Sequence, residues 1–293
     1  MAETLTLKDF LNIGLLLVGF DEKQRSKNCF EQLVTWFRTA YGEHPLVYAI
    51  LWFELRNIDQ HRDLKYFFMC LNWFKTYALE GELAGRFNLN DKTCRKWCLY
   101  YAKKIGNLFD VFIVFPTEEE MDDEILLGVV DGVHTQSYEP RMQHPDFPFD
   151  KGMNSHKFNK AGFAWEIVLN MVGKPIWVNG PFPAGQNDIK IFNEKGLKDK
   201  IPDGKYIFGD LGYQGANGII TANQYELYEC KAFKRKHRAR IEHYNSRLKK
   251  FGILNQRFRQ KGDSRFEKQT IVFQAINVIV CIALDNGFPL FDP

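Results

Sequence analysis

Hydrophobic residues recur at intervals of three and four through the first third of the chain. This spacing, which places apolar side chains on one face of an α-helix, is found at Phe30, Leu33, Val34 and Phe37 and again at Phe67, Cys70, Leu71 and Phe74. Proline, which breaks helices, occurs only at Pro45 before Pro116. The pattern predicts an all-α region over residues 1–115.

A helix-turn-helix pattern lies inside this region, at about residues 80–103. Residues 80–87 predict a short helix, residues 88–90 a tight turn, and residues 91–102 a second helix capped by Asp91. Apolar residues of the two helices are expected to pack together, namely Leu83, Ala84 and Phe87 against Cys94, Trp97 and Cys98. The cations of the second helix, Lys92, Arg95 and Lys96, would then face a DNA groove or phosphates. Three-helix packing of this type is also common in proteins that never touch DNA.

The hydrophobic period changes after an acidic linker at residues 115–123. Short apolar or alternating runs, typical of strands, occupy residues 125–130, 163–171, 174–179 and 206–209. Asn187 and Asp188 are typical of a cap for a short helix that ends near Asn193. Longer helical patterns follow at residues 233–251 and 266–286. This order of elements predicts an α/β domain over residues 116–293.

The positive charge of the chain is concentrated in one segment. The net charge is only +3, but residues 231–265 hold 13 Lys and Arg against Glu242 and Asp263, which leaves −8 for the rest. Such a segment favours a polyanion-binding face, although a solvated amphipathic helix is the usual explanation of a charge run. The six cysteines form neither a disulfide framework nor a zinc-site spacing. No apolar run is long enough for a bilayer, so we expect no membrane partner.

Two aspartates follow strand patterns directly. Asp131 comes after the run 125–130 and Asp210 after the run 206–209, and each is followed by a glycine-containing loop. Acids at strand ends of an α/β sheet are well placed for a site. An ordinary turn is the alternative for each of them, because Asp-Gly is a common turn dipeptide.

A third acid, Glu242, lies in the basic helix. It adjoins the apolar stripe that contains Ile241 and Tyr244, so we expect it to point at the sheet. A helix-surface ion pair with Arg238 or Lys249 is the alternative. Together, Asp131, Asp210 and Glu242 form the kind of cluster that phosphodiester chemistry needs, since two Mg²⁺ ions about 3.5–4 Å apart activate the attacking oxygen and stabilise the leaving one.

Six blocks of the chain resemble the DDE superfamily endonucleases of PIF/Harbinger transposons. These are Gly128–His134, Ser155–Gly162, Trp177–Gly185, Gly209–Gly215, Arg240–Gly252 and Asn286–Phe291. The resemblance covers the chain from Phe115 onward. It implies a ribonuclease-H-like fold with a catalytic, metal-binding triad of Asp131, Asp210 and Glu242. Val133 stands where the family usually has Thr, and Leu211 where Lys or Ser is usual.

The resemblance also implies a reaction and its partners. We expect hydrolysis at transposon ends and joining of the exposed 3′-OH to target DNA, with two Mg²⁺ ions or Mn²⁺ as a substitute. The DNA-binding residues are predicted to be Lys92, Arg95, Lys96, Lys157, Arg238, Arg240, Arg247 and Lys249, with His156 as a further backbone contact. The family further implies a Myb-like DNA-binding partner protein, a homo-oligomer on DNA and a location in the nucleus, for which residues 234–238 would be the signal.

Alternatives remain at two residues and for the function itself. Asp188 is either a helix cap, which we favour, or a rival metal ligand. His134 either contacts metal or phosphate or caps the strand end. The chain as a whole is either a transposase, a nuclease without joining activity, or a domesticated DNA-binding or adaptor protein without catalysis.

Overall fold

The computed structural model describes residues 5–57, 63–138, 151–155, 157–221, 228–260 and 264–290, without the side chains of Lys151 and Cys230. His156, predicted above as a backbone contact, lies outside the described residues. The fold is mixed α/β and forms two compact units. The first contains Met1–Phe112, Leu248–Gln256 and Gly262–Pro289, and the second contains Ile113–Arg247, Arg257–Lys261 and Leu290–Pro293.

The first unit consists of helices in the described residues. They are α1 (Leu7–Leu17), α2 (Glu22–Ser26), α3 (Phe30–Tyr41), α4 (Pro45–Glu54), α5 (Leu64–Thr76), α6 (Glu80–Phe87), α7 (Asp91–Gly106), α8 (Phe109–Phe112), α11 (Gly252–Asn255) and α12 (Arg265–Asp285). Side chains cap several helix starts; Thr6 and Asp9 form a capping box on α1, and Asn90 accepts from Thr93 N at 2.8 Å on α7.

The core of this unit is aromatic. Phe10, Phe37, Phe67 and Phe68 are fully buried, or nearly so, and their rings contact one another edge-on or tilted. Such contacts add to the burial of apolar area that drives helix packing. Of the two runs with helical spacing, Phe67, Cys70, Leu71 and Phe74 are all buried. In the other run only Phe37 is buried, and Phe30 is 44% exposed.

The predicted packing of α6 on α7 is also found. Leu83, Ala84 and Phe87 are buried, as are Cys94 and Cys98. The turn between the helices passes through Asn88, whose φ of 49° lies in the left-handed region. Trp97 is only partly buried and stacks on Tyr66 at a centroid distance of 4.6 Å.

The last helix belongs to the first unit rather than to the sheet. α12 packs on α4, α7 and α8, whereas the sequence prediction placed all residues after 116 in one domain. Its length and apolar composition would suffice to cross a membrane, but 67% of its most apolar window is buried, as in a core helix. The apolar residues of α12 are distributed all around the helix, and such a helix is buried against whichever elements surround it. Its apolar pattern therefore did not show that its partners would be helices of the first unit.

The second unit is built on a six-stranded sheet with two helices. Its elements are β1 (Leu126–Gln136), β2 (Asn154–Ser155), β3 (Lys160–Asn170), β4 (Pro175–Pro183), α9 (Asp188–Glu194), β5 (Tyr206–Phe208), β6 (Ile219–Ile220) and α10 (Tyr228–Lys249). β1 pairs antiparallel with β3 and parallel with β5; β4 and β2 pair antiparallel with β3, and β6 parallel with β5.

Two strands run further than their sequence patterns predicted. β1 was expected to end before Asp131 but continues to Gln136, because residues 131–136 pair with residues 162–167 of β3 and four of the six are buried. β4 continues to Pro183, beyond residue 179, where its sequence pattern ended. At Asp131-Gly132, pairing in the sheet overrides a local turn signal.

A buried apolar cluster under the sheet holds α9 in place. Val130 and Val168 of the sheet pack with Phe192 of α9 and with Tyr213, which is 1% exposed. Ile207 of β5 completes the contact. This packing fixes the start of α9 close to the middle of β1, where the site lies.

A substitution at Gly128 of β1 tests how closely β1 and β3 approach each other. A Cβ at Gly128 would lie 2.1 Å from the carbonyl oxygen of Leu169, which is backbone and cannot turn aside. We expect Gly128→Ala to lower the free energy of unfolding by about 1–3 kcal/mol or to prevent folding, measured by urea denaturation followed by circular dichroism. The control is Gly81→Ala in exposed α6, where a Cβ meets nothing within 4 Å; it should stabilise by up to about 1 kcal/mol. Equal effects of the two changes would contradict the tight strand contact.

Candidate active site

The pairing of β1 with β5 brings two aspartates to the same level of the sheet. The strands are parallel, with Val129 beside Phe208. Asp131 and Asp210 each lie two residues further along, and both line one cleft of about 810 Å³. Asp131 is a strand residue and not part of a turn. Asp210 follows β5 and begins a short helical turn, in which its Oδ1 accepts from Gly212 N at 2.8 Å.

Asp131 sits in an environment that disfavours its charge. Its Oδ1 accepts from Gly132 N at 2.8 Å and its Oδ2 from Asn245 Nδ2 at 2.9 Å. Burial raises the pKa of this carboxyl to about 6, against the lowering effects of Lys157 and the Gly132 hydrogen bond. The charges of Asp210 and Asp188 raise this pKa further.

Asp188 comes close to both aspartates from α9. It is the first residue of that helix, and Asn187 holds the N-cap position. A Cβ on Gly132 would lie 2.6 Å from Asp188 Oδ1, and one on Gly212 would lie 3.1 Å from its Oδ2. The favoured prediction that Asp188 caps this helix is therefore wrong, because Asn187 occupies the N-cap position. Gly132 and Gly212 have no side chains, and this leaves room for the Asp188 carboxylate.

Glu242 does not point at the sheet as expected. Its side chain is 61% exposed and pairs with Arg238 at 3.4 Å, which is the alternative foreseen for it. The apolar stripe itself is present, since Ile241 and Tyr244 are buried. Glu242 nevertheless lies one turn after Arg238, which lines the cleft, and about one turn before Asn245, which contacts Asp131.

Sequence analysis missed Asn245. It is 9% exposed, and its amide is the only part of α10 for which a hydrogen bond to Asp131 is described. Its Oδ1 is buried and has no hydrogen-bond partner among the described residues. The signal in the sequence is its place four residues after Ile241 and three after Glu242, on the buried side of the helix.

Part of the lining of the cleft is cationic. Four basic residues of α10 contribute it, namely Lys231, Lys234, Arg235 and Arg238. Apolar surface is contributed by Phe208, Leu211 and Ile241. Acidic and basic side chains that line one cleft are suited to a polyanion that is cut there.

The other predicted DNA contacts differ in their exposure and in their hydrogen bonds within the protein. Arg247 is only 8% exposed, and this burial argues against a contact between its side chain and a DNA phosphate. Arg240 is partly buried, and its Nη1 donates to the Met171 carbonyl. Lys157 Nζ donates to the Gly132 carbonyl at 2.6 Å, beside Asp131. Lys249 is exposed.

The cations of α7 lie in the first unit. Lys92 and Lys96 are exposed, and the Lys96 ammonium stands 5.3 Å from the centroid of the Trp97 ring. Arg95 forms a two-point ion pair with Glu80 of α6. Arg95 thus joins the two helices, while Lys92 and Lys96 face solvent as predicted.

His134 does not cap the end of a strand, because it lies within β1. It is 4% exposed in the interior of β1, and its Nδ1 lies 2.6 Å from Ser155 Oγ of β2. Val133, one of the two departures from the family pattern, is 3% exposed, and Leu211, the other, is 63% exposed at the cleft.

A second buried acid lies beneath the site on β3. Glu166 is 1% exposed and stands opposite Gly132 in the register of β1 and β3. Its Oε2 accepts from Trp177 Nε1 at 3.2 Å, and its Oε1 has no partner among the described residues. Burial raises its pKa to about 8. The Trp177 hydrogen bond lowers this pKa, and the charge of Asp188 raises it. At neutral pH this carboxyl is therefore mostly protonated.

The donors at the site fit a divalent cation in their chemistry. Asp131, Asp188 and Asp210 offer carboxylate oxygens and Asn245 an amide oxygen, which are ligands that Mg²⁺ prefers. Within the described ranges, no three His, Cys, Asp or Glu side chains are already gathered as a metal-holding group. A cation would relieve both the mutual repulsion around Asp131 and the lack of a partner at Asn245 Oδ1.

One family model matches the region that contains this site. It describes the DDE superfamily endonuclease and matches residues 130–286, more than half of the 293 residues. No curated protein matches the chain. The solved structure described as "Crystal structure of a pre-cleavage Mos1 transpososome" aligns over 99% of this chain and 100% of that chain, at 8% identity and a TM-score of 0.17. A score this low carries no argument about the fold.

Glu166 makes stability depend on pH in a defined direction. Its folded pKa of about 8 exceeds the ordinary value of 4.5, so the folded state holds more protons between these values and loses stability as pH rises through them. Replacement by Gln removes this dependence. We expect Glu166→Gln to be more stable than wild type at pH 8 by about 1–3 kcal/mol and to differ little at pH 5. Thermal or urea unfolding at both pH values measures this, with exposed Glu124→Gln as control; a gap between wild type and Glu166→Gln that does not change with pH would contradict it.

Proposed function

Because the chain belongs to the DDE superfamily endonuclease family, we propose that it is a metal-dependent nuclease of the PIF/Harbinger transposase kind. It would cut phosphodiester bonds at transposon ends and join the exposed 3′-OH to target DNA. The observation that carries the proposal is the single cleft that Asp131 and Asp210 line together with the basic residues of α10.

The proposed ligands of the metal are acids of the second unit. Asp131, Asp210 and Glu242 would hold two Mg²⁺ ions, with Mn²⁺ as a substitute. The ions, when bound, supply the charge that activates the attacking oxygen and stabilises the leaving one. Asp188 is the alternative third acid, because its carboxylate is near Gly132 and Gly212 while Glu242 is exposed.

The chain's own residues hold the DNA. Lys231, Lys234, Arg235 and Arg238 would bind phosphates on the wall of the cleft, each cation releasing condensed counterions from the DNA. Arg238 would have two partners, since it also pairs with Glu242. When phosphate competes for Arg238, Glu242 is released toward the aspartates.

The finer features of the proposal have different kinds of support. The strand order β4, β3, β1, β5, β6, with two antiparallel pairings followed by two parallel ones, supports a ribonuclease-H-like domain. The α6–α7 pair with exposed Lys92 and Lys96 supports a DNA-binding helix-turn-helix. The Myb-like partner, the homo-oligomer on DNA and the nuclear location rest on the family resemblance alone.

A non-catalytic DNA-binding or adaptor protein is the second candidate. The exposure of Glu242 and its ion pair with Arg238 favour it. Such a protein would use the basic residues of the cleft without cutting the DNA bound there.

Strand cleavage separates the two candidates. The substrate is DNA carrying the terminal repeats that flank the coding sequence, with Mg²⁺ or Mn²⁺ present. We expect Asp131→Asn and Asp210→Asn to reduce cleavage by at least about 100-fold, since several kcal/mol of transition-state stabilisation depend on the metal. Comparing Glu242→Gln with Asp188→Asn identifies the third acid by the larger loss. Cleavage unchanged in Asp131→Asn would remove this residue from the mechanism, and binding without any cutting would favour the adaptor.

The salt dependence of DNA binding tests the basic residues that line the cleft. Arg235 is exposed and lines the cleft. We expect Arg235→Ala to weaken binding and to reduce the slope of log K against log salt by about 0.9, the value for one phosphate contact. Fluorescence anisotropy between low and moderate salt measures the slope. Lys198→Ala, an exposed cation that does not line the cleft, is the control; the same slope for wild type and Arg235→Ala would contradict phosphate binding at this residue.

A further inference from the structure

Asn245 is the polar residue of α10 that reaches the aspartates. Its Nδ2 donates to Asp131 Oδ2 at 2.9 Å, across 114 residues of sequence. The side chain is 9% exposed, so the bond is made away from bulk solvent. A hydrogen bond to a carboxylate under these conditions fixes the direction in which the other carboxylate lone pairs point.

The second polar atom of the same amide makes no hydrogen bond to any residue that the structure describes. Asn245 Oδ1 is fully buried and without a hydrogen-bond partner among the described residues. Buried polar atoms are nearly always paired, and an unpaired one costs free energy. An amide used only to join α10 to β1 would be expected to use both ends, so the free oxygen indicates a ligand that is bound when the protein works.

The charge of the surroundings decides what this ligand is. Asp131 accepts a hydrogen bond from the other end of this amide, and Asp210 lines the same cleft as Asp131. An oxygen acceptor beside such acids is matched by a divalent cation or a water bound to one, not by an anion. A neutral amide also adds a donor oxygen without adding to the repulsion among the carboxylates.

We propose that Asn245 is an additional oxygen donor of the cation site, and that its Nδ2 at the same time positions the Asp131 carboxylate. This inference rests on the proposed function, because it requires a cation at Asp131. Asn245 then explains how α10 contributes to the site in the state in which Glu242 is paired with Arg238.

Binding of Mn²⁺ tests the proposal without any cleavage assay. Titration calorimetry and the electron paramagnetic resonance spectrum of bound Mn²⁺ are recorded for wild type, Asn245→Ala and Asn245→Asp. We expect Asn245→Ala to weaken binding at least tenfold and to change the spectrum. Asn245→Asp keeps an oxygen at this position but loses the Nδ2 donor to Asp131 and adds a negative charge, so its affinity should be changed from that of the wild type and should lie above that of Asn245→Ala. Ser246→Ala, an exposed neighbour on the same helix, should bind as wild type does.

The outcomes that overturn the inference are distinct from those that overturn the function. Wild-type affinity in Asn245→Ala, or binding by Asn245→Asp as weak as that of Asn245→Ala, shows that the amide oxygen does not serve the cation. If Asn245→Ala does not fold, Asn245→Leu, which is closer in volume, replaces it with the same expectations. Loss of binding in Asp131→Asn with no loss in Asn245→Ala removes the role of Asn245 alone. Absence of Mn²⁺ binding by the wild type overturns both proposals.

Discussion

Carboxylates of like charge held at one level of the sheet are the constraint on which the site depends. Parallel pairing of β1 with β5 fixes Asp131 and Asp210 side by side, and packing of α9 under the sheet brings Asp188 toward them. The raised pKa of Asp131 is the electrostatic consequence. Since backbone pairing and core packing set these positions, the repulsion cannot relax by a simple rotation of one side chain, and it is relieved by positive charge brought to the site.

The protein supplies part of that charge itself. Lys157 stands beside Asp131, and α10 lines the cleft with four cations. The same cationic surface can hold the phosphates of a nucleic acid. Arg238 connects the two sets of charges, because it lines the cleft and pairs with Glu242. Acidic and basic side chains are thus arranged within one cleft.

Much of this arrangement could be predicted from local pattern. Helical spacing identified part of the core of the first unit, and short apolar runs identified β1, β3, β4 and β5. The errors came where a local signal met a stronger tertiary one. Asp131-Gly132 is a turn dipeptide in isolation, but antiparallel pairing with β3 extends the strand through it. Arg247 belongs to a strongly basic helix, yet it is 8% exposed, because charge density along a helix does not reveal which face is covered.

The sequence by itself determined the order of the elements and the acids that they carry, because hydrophobic period and strand-end position are properties of neighbouring residues. It indicated that Asp131 and Asp210 would be near each other, since the apolar run before each of them predicted a strand of the same sheet. Only the tertiary structure decided that Asp188 joins them, that Asn245 contacts Asp131 and that Glu242 remains exposed. These outcomes depend on the rotation of α9 and α10 about their axes against the sheet. That rotation is set by packing between residues as far apart as 131 and 245, which no local pattern records.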